Sequence, residues 1–276
     1  MWHWDSRTHQ FIAQKALAKC RQSFVNLLQV EADFFILGIE SPDRIFKDFT
    51  NHYYNCTANS YGYHYGSVIK KIESKIAELK WLQANPTNII IPDNYPPFLH
   101  ALLDNPLKVF CFELGALSHY IADLHQPFHT DGKERFSDEE TIHQVLEADV
   151  RKNLNQLKIN LHRRYRIKDF QQYFTNEIYH INSFYDTLVE NYYRAPGKVQ
   201  AERWIHSQQI IEYCLAEACQ NIANVFLSFE DATIPFAKAK RFAELQKKIQ
   251  QNLQPNSSYR LRTYPSGTIS IRQHQS

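Results

Sequence analysis

The stretch "LSHYIADLHQPFHT", residues 117–130, sets three histidines and an aspartate within eleven positions. On an α-helix, positions i and i+4 stand one above the other on a single face. His119 and Asp123 have that spacing, and His143 and Glu147 repeat it further along. His125 falls two residues past Asp123 and points elsewhere, while Pro127 ends the helix just before His129. One His-x3-Asp pair is commonly a helix side-chain pair. Two such pairs on consecutive helices, with a third histidine between them, read instead as a metal-ligand set. The donors are imidazole and carboxylate without cysteine, the kind that catalytic zinc sites use while keeping one position open for water.

The rest of the chain supports a helical frame. At 276 residues and 43% hydrophobic content it can bury a full core. Only seven glycines and few β-branched runs suit helices better than a turn-rich β fold. A net charge of +2 argues for neither a nucleic-acid nor an anionic-membrane partner on overall charge. The five cysteines (Cys20, Cys56, Cys111, Cys214, Cys219) form no CxxC pair, and their odd number leaves one unpaired. They read as small core residues. No stretch reaches the about 18 apolar residues of a membrane span.

Helical periodicity starts at once. Residues 6–20 carry Phe11, Ile12, Ala16 and Leu17 at helical spacing, with Ser6 as the expected N-cap. The next apolar run, 25–43, is expected to be punctuated by Gly38 and Pro42. Residues 51–66 read as a loop, 67–82 as an amphipathic helix, and the proline-bearing 83–106 as a connection. A long helix is expected at 107–126, and another from Ser137, where Ser137 and Glu140 would form a capping box. Two further helices fit 169–190 and 200–229. The basic stretch "FAKAKRFAELQKKIQQNL", 236–253, reads as a last amphipathic helix, with a solvated face as its ordinary role and membrane contact as the alternative. The polar tail beyond Pro255 reads as a loose end or a short strand pair. The expectation is an all-α, single multi-helix domain over 1–235, followed by a basic helix and polar tail over 236–276.

Further polar candidates lie upstream: His9 in "RTHQFIA", Asp43 just beyond "FFILGIESP", and His52 in "NHYYN". Together these residues resemble the zinc-dependent phospholipase C and S1/P1 nuclease superfamily. The matching elements run in order: "WHWDSRTHQFI", "GIESPD", "HYY", "HYIADLHQPFH" and "HQVLE". The resemblance implies an all-α fold of the phospholipase C/P1 nuclease type with three zinc ions in a cleft. It implies Asp43, His52, His119 and Asp123 at the first zinc. Asp123 would bridge to a second zinc held by His9 and by the amine and carbonyl of Trp2, and His129, His143 and Glu147 would hold the third. It also implies Asp43 as the residue that orients or deprotonates the attacking water. Trp2 is taken as the mature start, with Trp4 and Met1 as alternatives for the terminal ligand, and His64 as the alternative to His52. His125 fits no ligand position and is expected to face solvent or to support the ligands from behind.

The spacing from His129 to His143 and the carboxylate Glu147 resemble the phospholipase branch. The implied reaction is cleavage of phosphatidylcholine-like phospholipids to diacylglycerol and a phosphorylated head group. "DLHQPFH" leans toward the nuclease branch, so a single-strand nuclease/3'-nucleotidase and a non-catalytic zinc-binding helical protein remain open. Tyr53, Tyr54, Tyr61, Tyr63 and Tyr65 read as loop packing or as an aromatic cage for a choline head group. The implied partner is a phospholipid at a membrane or micelle surface, met by a monomer, with no stable nucleic-acid partner. Export or a periplasmic location goes with the family; "MWHWDSRTH" is not itself a signal peptide.

Overall fold

In the computed structural model, residues 5–131, 139–195, 198–252, 259–263 and 269–273 are described. The described residues are helical from Ser6 onward, and the chain divides into two units, Met1–Thr233 and Ile234–Ser276. The first unit holds α1 (Ser6–Leu17), α2 (Gln22–Val30), α3 (Ala32–Ser41), α4 (Val68–Ala84), α5 (Pro97–Leu102), α6 (Pro106–Leu124), α7 (Glu139–Asn153), α8 (Phe170–Asn182), α9 (Tyr185–Tyr192) and α10 (Arg203–Phe226). A small hairpin, β1 (Tyr193–Ala195) and β2 (Lys198–Val199), joins α9 to α10. The second unit holds α11 (Thr233–Asn252) and the antiparallel pair β3 (Tyr259–Thr263) and β4 (Ile269–Gln273).

The central element is α6. Every residue from Val109 to Leu124 is buried, so this helix is wrapped on all sides. Its wrapping partners are α1, α3, α4 and α10. Pro106 at its first turn and Asn105 as N-cap, accepting from the Lys108 N–H at 2.9 Å, start it cleanly. The α4 stripe of Val68, Ile69, Ile72, Ile76, Leu79 and Leu82 is buried, as the sequence periodicity predicts.

The α3–α6 crossing is unusually close. A Cβ on Gly38 would stand 2.0 Å from the Phe112 carbonyl oxygen, and one on Gly115 would stand 2.2 Å from the Phe35 carbonyl oxygen. Gly38 therefore does not punctuate the run, as expected from sequence, but sits inside α3. Its helix penalty of about 1 kcal/mol is offset by backbone-to-backbone packing. Other departures are local. Asp5, not Ser6, caps α1, accepting from the Thr8 N–H at 2.9 Å and the Thr8 hydroxyl at 3.0 Å. The 169–190 segment is two helices, because α8 closes at Ser183 and α9 starts at Tyr185. The 83–106 connection contains the short α5. Ser137 of the expected capping box lies outside the described residues. All five cysteines are free thiols; Cys111, Cys214 and Cys219 are buried, and Cys20 and Cys56 partly so.

A buried ion pair ties α4 to α6. Lys75 Nζ lies 2.7 Å from Glu113 Oε2 and 2.7 Å from Glu78 Oε2, and donates to Tyr95 Oη at 2.9 Å. Tyr95 in turn donates to Glu113 at 2.7 Å. Burial works against the Lys75 ammonium, but Glu113 and Glu78 outweigh it and raise its pKa. This contribution to stability is complete below the ordinary lysine pKa and is lost only as pH rises through the higher folded value. Glu113→Ala leaves the buried ammonium with Glu78 as its one remaining carboxylate and should cost about 2–3 kcal/mol in urea unfolding. Gly115→Ala forces α3 and α6 apart and should cost about 3 kcal/mol, read by the same measurement.

Candidate metal centre

Six elements carry the candidate donors, and most converge on α6. His9 projects from α1, Asp43 from a π-helical turn (Pro42–Phe46), and His52 from a 3-10 turn (Phe49–His52). His119 and Asp123 stand one turn apart on α6, and His129 ends the short turn Pro127–His129. His143 and Glu147 lie on α7. His9, Asp43, His52, His119, Asp123, His129 and His143 are all buried.

The Asp123 carboxylate is the hub. Its Oδ2 lies 2.5 Å from His52 Nδ1 and 3.1 Å from His119 Nε2. Its Oδ1 lies 3.4 Å from His9 Nε2 and 3.7 Å from His129 Nδ1. Asp43 Oδ1 stands 3.4 Å from His119 Nε2 and 3.7 Å from His52 Nε2. Two triads thus have all their ligand atoms within 4.8 Å of one another: His9, His119 and Asp123, and Asp43, His52 and His119. The shared member of the triads is His119, whose ring stacks on His9 at 3.9 Å. To one side, His143 Nε2 meets Glu147 Oε1 at 3.1 Å, and the His143 ring lies 5.1 Å from that of His129.

The tautomer of His119 follows from its surroundings. A carbonyl only accepts, so the 2.8 Å contact with Ile39 O places the proton on Nδ1. Nε2 is turned to the same point at which Asp43 and Asp123 present carboxylate oxygens, 3.4 Å and 3.1 Å away. Two carboxylates and an imidazole nitrogen turned on one point form the donor set of a cation site, and a backbone bond behind the ring is the usual orienting support of a metal-binding histidine. The electrostatics agree. Burial pulls the His119 pKa down, but Asp43 and Asp123 push it up to about 10. Burial would raise Asp123, yet the facing His119, His129 and His9 hold it well below the usual carboxylate range. A positive charge is favoured at His119 and a negative one at Asp123, and the nitrogen and oxygen donors fit zinc.

Residues with no motif of their own hold the donors in place. Asp48 accepts from Tyr120 Oη at 3.0 Å and from Asn51 Nδ2 at 2.5 Å, and pairs with Lys71 at 3.2 Å. It thereby fastens the segment between Asp43 and His52 to α6, next to His119. Lys47, with a left-handed φ of 50°, makes the reversal in that segment. Gln126 reaches Glu147 at 3.5 Å, and Asn182 holds the Thr130 carbonyl at 3.2 Å, just past His129.

His125 does not face solvent. It is fully buried, donates from Nδ1 to Ile121 O at 2.7 Å, and accepts at Nε2 from Asn221 at 2.8 Å, with Glu177 at 3.7 Å. The helix end turns it inward, toward α8 and α10. His64 is excluded from the cluster: it is exposed, contacts Asn55 O at 2.7 Å and stacks on Tyr54 at 5.1 Å. Tyr53 packs on His129 at 4.5 Å, whereas Tyr61, Tyr63 and Tyr65 are exposed. Trp2, Trp4 and Met1 lie outside the described residues.

The profile of the zinc dependent phospholipase C family matches residues 8–208, which include every candidate donor except Trp2. Among solved structures, the chain resembles the alpha-toxin of Clostridium perfringens from avian strain SWCP, with a TM-score of 0.52 at 15% identity over 83% of this chain and 66% of the toxin. The alpha toxin of Clostridium absonum gives a TM-score of 0.50 at 13% identity, over 82% of this chain and 63% of that one. This chain therefore spans just under two thirds of each toxin's length, and at these identities the likeness concerns the fold. No curated protein matches the chain.

Removing the hub should separate ligands from bystanders. Asp123→Ala should lower bound zinc, measured by metal analysis after gel filtration, and abolish activity, whereas His64→Ala should keep the full wild-type metal content. Unchanged zinc and activity in Asp123→Ala would refute the bridging role.

Proposed function

Given that this chain belongs to the zinc dependent phospholipase C family, we propose that it hydrolyses the phosphodiester of a phospholipid. The products are diacylglycerol and a phosphorylated head group, and phosphatidylcholine-like lipids are the substrate class. The observation that carries this reading is the buried convergence of Asp43, His52, His119, His9 and Asp123 on shared points. Three zinc ions are proposed: one with Asp43, His52, His119 and Asp123, one with Asp123, His9 and the Trp2 terminus, and one with His129, His143 and Glu147. Zinc bound there would supply positive charge against the phosphate and lower the pKa of a water molecule.

The chain's own residues have distinct tasks. Asp43 is 5% exposed, against 0% for Asp123, so it is the carboxylate nearer the solvent side of the cluster. It is suited to orient the attacking water and take its proton. Asp123 belongs to the triad with His9 and His119 and also reaches His52 of the other, so it is suited to keep these histidines at fixed separation. His119, oriented by Ile39 O, keeps its Nε2 directed into the cluster. A pocket of about 410 Å³, lined in part by Asn55, Asn59, Tyr63, His64, Tyr65 and Asp131, is proposed to take the head group. Tyrosine faces and a carboxylate suit a quaternary ammonium. Asp131 follows His129 by two residues, and the loop leading into the pocket is bonded to that segment through the Tyr54 N–H on His129 O at 3.0 Å. The enzyme is proposed to act as an exported monomer at a membrane or micelle surface.

The test offers phosphatidylcholine and single-stranded nucleic acid in parallel, each with and without a chelator. Diacylglycerol release that stops on chelation is the expected result. Nucleotide release without diacylglycerol would move the chain to the nuclease branch, and retained zinc with no turnover of either would leave a binding protein. Asp43→Asn should lower kcat by roughly 10²–10⁴ if the aspartate acts as the base.

A further inference from the structure

Charge is segregated along this chain. Residues 234–276 hold eight of its 31 Lys and Arg but only one of its 29 Asp and Glu, Glu244, for a net charge of +7. The remaining residues carry 23 basic against 28 acidic groups, a net charge of −5. The near-neutral total therefore conceals a strongly basic C-terminal unit attached to an acidic one.

Within that unit, α11 arranges its charges with apolar residues. Ile234, Lys238, Arg241, Leu245 and Lys248 follow one another at steps of four, three, four and three, which places them on one face of the helix. All five are exposed, Ile234 to 59% and Leu245 to 51%. The stripe runs for about 21 Å. An ordinary solvated face carries charges of both signs and leaves large aliphatic side chains elsewhere. A helix at a lipid interface has this pattern instead: aliphatic groups enter the head-group layer, and lysine and arginine stems lie along it with their charges among the phosphates.

We propose that the C-terminal unit docks on an anionic phospholipid surface, with the Ile234–Lys238–Arg241–Leu245–Lys248 stripe of α11 as its principal contact. A nucleic acid would use the cations but has no use for exposed Ile234 and Leu245, so the lipid is favoured. The inference is independent of the phosphodiesterase reading, because it concerns binding rather than turnover.

The test is flotation of the full chain with vesicles of phosphatidylcholine alone and of phosphatidylcholine mixed with phosphatidylglycerol. Binding to the mixed vesicles should be at least about tenfold tighter and should weaken as salt is raised. The triple variant Lys238→Gln/Arg241→Gln/Lys248→Gln should bind mixed vesicles roughly 100-fold more weakly. Its thermal midpoint and its turnover of a soluble short-chain substrate should be unchanged. Leu245→Gln should weaken binding several-fold while leaving the salt dependence intact. Equal binding to both vesicle types, a triple variant that binds like the wild type, or tighter binding to a single-stranded oligonucleotide than to mixed vesicles would each overturn the proposal.

Discussion

Two glycines facing each other across α3 and α6 are the constraint on which the centre depends. Helix axes packed through ordinary side chains stay about 8–10 Å apart. Here Gly38 and Gly115 remove the side chains, and each backbone rests on the other's carbonyl. One turn beyond Gly115 on α6 stands His119, and one residue beyond Gly38 on α3 stands Ile39. Only at this separation does Ile39 O accept from the His119 ring. The same approach brings the turn that follows α3, and with it Asp43, up to His119 Nε2. Backbone packing that costs helix propensity locally thus sets the tautomer and aim of the histidine shared by both triads.

Around that crossing, the polar interior is organised as separate networks rather than one. The donor cluster is built of imidazole and carboxylate, with Asp123 at its hub. Lys75, Glu113 and Tyr95 form a closed ion pair that satisfies itself and joins α4 to α6. His125, Asn221 and Glu177 form a third group, joining the end of α6 to α8 and α10. Burial would raise Glu177, but the nearby His125 and the bond from Asn221 keep its pKa lowered. Each network uses a residue of α6 or of its C-cap, so one buried helix is bonded on several sides while its last turns carry His119 and Asp123.

The sequence revealed the parts of this arrangement that depend on local spacing. His119 with Asp123, and His143 with Glu147, are legible because a helix puts i and i+4 together whatever surrounds it. The amphipathic stripe of α4 is legible for the same reason. Gly38 was not, because a helical glycine looks like a stop until the partner helix that needs it is known. His52 is preferred to His64 by its following tyrosines and its shorter spacing from Asp43, but neither feature says where the two rings go in space. Their separation depends on Asp48 anchored to Tyr120, and on Gly66, whose φ of 93° lets the loop return within contact of the Tyr53 carbonyl. Of the two readings of His125, facing solvent fails, because its direction from α6 says where it leaves the helix, not which helices meet it there. Asp48 carries no motif, and only the tertiary structure shows that it fastens the segment between two donors.

The free state of all five cysteines acquires a meaning beside this centre. No covalent bridge closes any loop of the chain, yet donors at positions 9, 43, 52, 119, 123, 129, 143 and 147 meet in one region, supplied by widely separated segments. A metal held across them would tie the first helix to the seventh as a cross-link does, and its binding energy would also be folding energy. Helices α8 to α10 contribute no donor to that tie and rely on apolar packing. Metal withdrawal should therefore be felt unevenly, loosening the N-terminal half first, so that in this protein metal supply takes over the structural task that oxidation performs in a disulfide-bonded one.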